Sequence, residues 1–266
     1  MKKLIMLTLS LAMVLSVFML YANAEETGVK VYVTISNGDL MLVRQEVTVT
    51  DEDSDGKITI NDSLIAAHRE YYEGDGEGYL SEVTAFGISM IRLWGLENGG
   101  SYGYYVNNAM AFSLAGEVNE GDRVYAFAYT DTITYGDTYT YFDSDTVTVK
   151  AGEEISLTLY SLTLDDEWNP VISAVSDAVI TFDGAETGYV TDNDGRVTLK
   201  IENEGSCLIS AKSDTLTLLP PVCFANVTAS TPKTFDGFGY VLYISAGTVA
   251  FAVIIYLLRR SRNYEK

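Results

Sequence analysis

The chain has 266 residues and a formal charge of −20, with 37 Asp and Glu against 17 Lys and Arg. So acidic a protein repels phosphate backbones, which excludes nucleic acid from its expected partners. Nineteen tyrosines, 22 glycines and only four prolines favour β structure over disorder. The lone histidine leaves little room for triad-type catalysis.

The start of the chain has the layout of a secretory signal peptide over residues 1–24. Lys2 and Lys3 are the charged start, residues 4–20 the apolar run, and Ala22-Asn23-Ala24 the small-residue cleavage site. Residues 29–35 alternate as a strand, Ser36-Asn37-Gly38-Asp39 is a turn, and residues 40–50 form a second strand.

That strand runs into residues 51–62, DEDSDGKITIND. The spacing is that of a twelve-residue calcium loop, with oxygen ligands at positions 1, 3, 5, 7, 9 and 12 and glycine at 6. The expected metal ligands are Asp51, Asp53, Asp55, the carbonyl of Lys57, Thr59 and Asp62, with Gly56 at the turn and Ile58 anchoring the loop. Crowded carboxylates repel one another unless a cation sits among them. Residues 62–72 continue as a helix. Leu64, Ile65, His68, Tyr71 and Tyr72 recur at helical spacing, which makes His68 a packed residue. A glycine-rich stop ends the helix, and a short second helix is expected over 80–85.

Strands are then expected at 88–94, 102–106 and 123–129. Residues 130–145 read as a Tyr/Thr/Asp-rich loop. Its Tyr135, Tyr139 and Tyr141 are candidates for contact with an extracellular ligand, since tyrosine offers a flat apolar face and a polar tip. Tyr104, Tyr125 and Tyr129 fit the core of a sheet. Residues 145–149 and 154–160 are expected to pair as a hairpin. Trp168-Asn169-Pro170 marks a domain boundary, and short strands recur beyond it at the spacing of a small β-sandwich over 169–228. Cys207 and Cys223 sit in strand-like runs there, as a disulfide or as two buried thiols.

Residues 229–239 form a linker. Residues 240–258 carry no charge and are long enough to span a bilayer. Arg259, Arg260 and Arg262 follow, so the tail over 259–266 is expected on the cytoplasmic side.

Three resemblances rest on these residues. The loop 51–62 with the following SLIAAHREYY resembles a dockerin-type, single EF-hand-like calcium unit. Dockerins carry two loops and this chain one, which implies a structural calcium inserted in another fold. Residues 29–131, through Gly103-Tyr104-Tyr105-Val106-Asn107-Asn108 and the run from Ala115 to Val124, resemble the bacterial surface domain related to the C-terminal domain of transcobalamin. That resemblance implies a β-grasp-like fold around one helix, and in some relatives a corrinoid ligand. Thr231-Pro232-Lys233-Thr234-Phe235, before the apolar span and basic tail, resembles a variant Gram-positive sortase sorting signal. It implies cleavage between Thr234 and Phe235 and attachment to cell wall peptidoglycan. A plain single-pass membrane anchor is the alternative.

The expected fold is therefore mainly β: an α+β, β-grasp-like first domain over 25–168, a small Ig-like β-sandwich over 169–228, and a C-terminal transmembrane helix. The expected function is non-enzymatic binding or adhesion at the cell surface, with calcium as the cofactor. Capture of a small ligand such as a corrinoid is the alternative, and a surface hydrolase ranks last.

Overall fold

The computed structural model describes residues 28–230 apart from Asp75. The signal peptide, the sorting motif 231–235, the span 240–258 and the basic tail lie outside the described residues. Among the described residues, no helix is long and apolar enough to cross a membrane.

Strand β1 (Val29–Asn37) turns into β2 (Asp39–Val49), and the acidic loop leads into α1 (Ile60–Tyr71). β3 (Leu80–Thr84) and β4 (Gly87–Arg92) form a separate antiparallel hairpin. The helix expected over 80–85 is therefore a strand. Its positive-φ Gly87 closes a tight turn that returns the chain along itself. β5 (Tyr102–Val106), β6 (Ala109–Met110) and β7 (Arg123–Ala128) complete a sheet of order β2-β1-β7-β5-β6, with β1 and β7 parallel.

That sheet is covered on both faces. Val31, Val33 and Ile35 of β1 pack against Ile60, Leu64 and Ala67 of α1, all at most 1% exposed. Thr34 and Ser36, pointing the other way, are buried as well.

The second half begins earlier than the expected boundary at 168. β8 (Thr138–Phe142), β9 (Thr146–Lys150) and β10 (Glu154–Leu164) precede it. β11 (Pro170–Ala174), β12 (Val179–Phe182), β13 (Ala185–Val190), β14 (Arg196–Lys200), β15 (Gly205–Lys212), β16 (Leu218–Leu219) and β17 (Cys223–Thr228) follow. One sheet runs β11-β10-β8-β16 with β14 also on β10, and the other runs β13-β12-β15-β17-β9. Pairing of β10 with β11 spans Trp168, so residues 165–169 form a hairpin turn, Pro170 opens β11, and no domain boundary falls there. β9 and β10 are both strands, but they do not pair with each other. β9 joins β17 in parallel and β10 joins β8, so the expected hairpin is split between two sheets. Leu157, Leu159, Ile180, Leu199 and Ile209 fill the space between them.

An aromatic cluster joins the two halves. Tyr105, Tyr125 and Phe127 of the first sheet meet Tyr139, Leu162 and Leu219 of the second half. The Tyr105 and Tyr139 rings stack 3.7 Å apart. Gly103 makes room for this packing: a Cβ there would sit 2.4 Å from the Phe127 ring. Beside the cluster, the Arg44 guanidinium donates to Asp145 O (2.6 Å), Asp145 Oδ1 (3.1 Å) and Val222 O (2.7 Å). Arg123 pairs with the other Asp145 oxygen. Asp145 thus bridges two guanidinium groups at one junction, and the Arg44 side chain is only 14% exposed. Asp145→Ala is expected to lower the unfolding free energy by about 2–3 kcal/mol, because it leaves a half-buried cation without its anion. A lower urea midpoint with an unchanged slope would register this.

Candidate metal site

Residues 51–57 form a loop after β2 that is exposed from Asp53 to Lys57. Carboxylate oxygens of Asp51, Asp53 and Asp55 approach within 4.8 Å of one another. The loop is held open by its own backbone. Asp51 Oδ1 accepts from Asp55 N (3.1 Å), Asp51 Oδ2 from Gly56 N (2.8 Å), and Asp55 Oδ1 from Lys57 N (2.9 Å). Gly56 takes φ +89°, a conformation that side chains rarely adopt. Burial, and then the charges of Asp62, Asp55 and Asp51, push the Asp53 carboxyl above its ordinary range. Three carboxylates this close together could hold a hard cation.

Thr59 and Asp62, both fully buried, are engaged with each other. Thr59 is the N-cap of α1. Its N–H (2.8 Å) and its Oγ1 (2.6 Å) both lie on Asp62 Oδ2, and Asp62 Oδ1 accepts from Glu52 N (3.0 Å). This is a capping box, and the Thr59-x-x-Asp62 spacing before an apolar run is its sequence signature. So two of the six expected ligand positions close the helix N-terminus, while Asp51, Asp53 and Asp55 form the acidic group.

The far side of the loop docks on residues 114–118. Val118 N donates to Ile58 O (3.0 Å), Ile60 N to Gly116 O (2.9 Å) and Asn61 N to Leu114 O (3.0 Å). Lys57 Nζ pairs with Glu117 at 2.6 Å. Arg69, on α1, grips Glu52 through both guanidinium nitrogens at 2.7 and 2.8 Å, and that hydrogen bonding holds the Glu52 carboxyl below its usual range. The loop is thus tied to the strand before it, to the helix after it and to a distant segment. The last two ties have no local sequence signal.

The tyrosines separate. Residues 138–142 are strand β8, not loop. Tyr139 is 4% exposed, stacked on Tyr105 and bonded through its hydroxyl to Asn108 Oδ1 (2.9 Å). It is a core residue and is removed from the ligand candidates. Strand β8 is packed on both faces, so it shows no apolar–polar alternation. Tyr141 is half-buried beside Tyr160, with rings 5.8 Å apart. Tyr135 is exposed, with φ +55°, and its ring meets Tyr129 edge-on at 5.2 Å.

Cys207 and Cys223 are free buried thiols. They lie on paired strands, but Cys207 faces Ala225 and Cys223 faces Ile209. Such diagonal neighbours stand roughly 7–8 Å apart, beyond disulfide reach. Burial pushes their pKa values up to about 11 and about 12, so neither is a nucleophile at neutral pH.

The class that the fold defines is a mainly β protein of several packed sheets. No protein-family model matches the chain, and no curated protein matches it. Among solved structures it is similar to the N-terminal four Ig domains of Dscam1 isoform 4.44, at 11% identity and a TM-score of 0.23, over 57% of this chain and 32% of that one. A second structure, on the basis of Dscam isoform specificity, gives 11% identity and a TM-score of 0.23 over 48% and 38%. The chain spans about a third of the length of the solved chains it matches. A likeness at this TM-score carries no argument on fold or function.

Proposed function

We propose that this chain is a calcium-stabilised, surface-anchored binding or adhesion protein without enzymatic activity. The observation that carries the calcium reading is the approach of the Asp51, Asp53 and Asp55 carboxylates at the entrance to α1. Extracellular calcium would keep such a site filled, so its role is to hold the loop and helix against the sheet rather than to switch. The order β2-β1-β7-β5-β6, with parallel β1 and β7 at its centre and one helix on its face, supports the β-grasp-like reading and the likeness to the transcobalamin-related surface domain. In this proposal, sortase cleaves between Thr234 and Phe235 and joins the chain to the cell wall.

Calorimetry with calcium on residues 25–230 should show one site, lost in Asp51→Ala and in Asp55→Ala. Ligand at 100 times its dissociation constant contributes about 2.7 kcal/mol of stability, so chelation should lower the melting temperature. Absence of both heat and melting shift would sink the calcium reading. Mass spectrometry of the mature C-terminus tests anchoring: an intact 240–258 segment excludes sorting at Thr234 in favour of the plain anchor.

A second reading, capture of a small ligand, is favoured by a cavity of about 540 Å³ between the β1–β2 turn and the second half. Leu40 and Val43 line one side, and Lys212, Leu216, Leu218 and Pro220 the other. Cobalamin is the named candidate by resemblance. An unchanged visible spectrum of cobalamin on titration with the protein removes it.

A further inference from the structure

Among the described residues, each cation that forms an ion pair has a carboxylate to itself, except at one place. Six ion pairs each match one Lys or Arg to its own Glu. Arg44 and Arg123 instead share Asp145. One carboxylate against two guanidinium groups leaves one unit of positive charge. It stands at the junction of the two halves, in a chain whose formal charge is −20. The side chains of Arg44, Arg123 and Asp145 are 14%, 37% and 31% exposed, so salt screens this excess only in part.

The local fold builds this arrangement. In the β1–β2 ladder, Val33 faces Gln45 and Ile35 faces Leu42, so Val43 and Arg44 stand together against Thr34. Such a bulge re-aims a side chain. Arg44 takes φ +43°, a left-handed conformation unfavourable for a residue with a Cβ. Its backbone N–H donates to Thr34 Oγ1 (3.1 Å). Its guanidinium reaches Asp145 and Val222, which lie 101 and 178 residues further along the chain.

A crevice of about 30 Å³ lies beside the two guanidinium groups and is lined also by Asn108 and Tyr141. One guest the size of a water molecule fills such a space, and an organic ligand does not enter it. Each guanidinium carries five N–H donors. Arg44 commits three of them, to Asp145 and Val222, and Arg123 commits one, to Asp145. No buried side-chain nitrogen of the described residues lacks a partner, so the uncommitted nitrogens, Arg44 Nε and Arg123 Nε and Nη2, are open to a guest from solvent. Asn108 Oδ1 accepts from the Tyr139 hydroxyl, which leaves the Asn108 amide N–H groups as donors. Both carboxylate oxygens of Asp145 are taken by the arginines. We propose that this crevice binds one halide-sized anion, chloride, against Arg44 and Arg123. The anion completes the charge balance of the junction, two guanidinium groups against Asp145 and chloride, and so helps to hold the two halves together. The inference rests on neither the calcium loop nor the anchor.

The test is the melting of the full chain as sodium chloride replaces sodium gluconate at constant ionic strength, pH and calcium. Gluconate is too large for the crevice, and constant ionic strength removes the general screening of so acidic a chain. The melting temperature should rise with chloride and level off as the site saturates. Arg123→Gln discards the excess charge and leaves Asp145 to Arg44, so the rise should vanish. Arg123→Lys restores the charge and should keep part of the rise. Lys200→Gln removes a cation from β14, which does not line the crevice, and should leave the response unchanged. Independently of melting, the NMR line of bromide should broaden in the presence of the wild-type chain and sharpen again as chloride is added. Equal melting temperatures in chloride and gluconate overturn the proposal. So do a chloride response that survives Arg123→Gln, a response lost equally in Lys200→Gln, and a bromide line that chloride does not sharpen.

Discussion

Replacing Asp62 with Ala is expected to destabilise the protein by about 3 kcal/mol through the helix cap and, under the proposed calcium reading, to weaken its response to the ion as well. The carboxylate is fully buried and serves three donors, Glu52 N, Thr59 N and Thr59 Oγ1. Loss of a helix cap costs about 1 kcal/mol, and each buried donor left without an acceptor adds about 1–3 kcal/mol before the site relaxes. The two effects separate under chelation. The capping loss persists with calcium removed, whereas any contribution of Asp62 to the cation disappears. Urea unfolding of wild type and Asp62→Ala, each with calcium and with chelator, resolves the terms. Equal stability of the two proteins in chelator would refute the capping role. Asp62→Asn should fall between them, since its amide has one acceptor oxygen where the carboxylate offers two.

Acid should unfold this protein earlier than its carboxylates alone require, because of His68. The ring is fully buried, with its centroid 5.1 Å from those of both Tyr79 and Trp94. Nδ1 lies 2.6 Å from Leu64 O, and Nε2 accepts from Trp94 N at 3.1 Å. This assigns the proton to Nδ1. A second proton on Nε2 would point at the Trp94 N–H. Burial lowers the pKa to about 4, against a smaller upward pull from the Leu64 carbonyl. Since the folded value lies below the unfolded value of about 6.5, the unfolded chain takes up the proton first. The stability contributed by neutral His68 is complete above pH 6.5 and is lost as pH falls towards 4. The full loss is on the order of 3 kcal/mol. Melting measured in chelator between pH 7 and 4.5 should show the slope, and His68→Gln should flatten it. A wild-type melting temperature that is level across that interval would exclude the assignment.

Much of the first half was legible because its signals are local. The alternation in 29–35, the turn at Asn37-Gly38 and the heptad-like apolar spacing from Leu64 to Tyr72 each act over a few residues. The observed β1, β2 and α1 match them within two residues or so. Residues 80–85 carry no alternation that marks a strand, because a short exposed strand buries neither face. Residues 138–142 do not read as a strand for the opposite reason: both faces of β8 are covered, so its Tyr and Thr residues show no contrast. The paired strands on either side of Trp168 show that a Trp-Asn-Pro sequence specifies a turn, while what lies beyond the turn depends on the partner strand.

By itself, the sequence determined the acidic loop. The order Asp-x-Asp-x-Asp-Gly places three carboxylates around a tight turn, and Thr59 and Asp62, three residues apart, close the helix end by backbone geometry alone. The tertiary structure decided what the loop rests on. Residues 114–118 and Arg69 reach it from elsewhere in the chain, since hydrogen bonds across such separations follow from how the sheet and helix pack and leave no periodic trace. The same distinction governs Arg44. Its charge is plain in the sequence, but its meeting with Asp145 and Arg123 follows only from the bulge in β2 and the packing of the two halves.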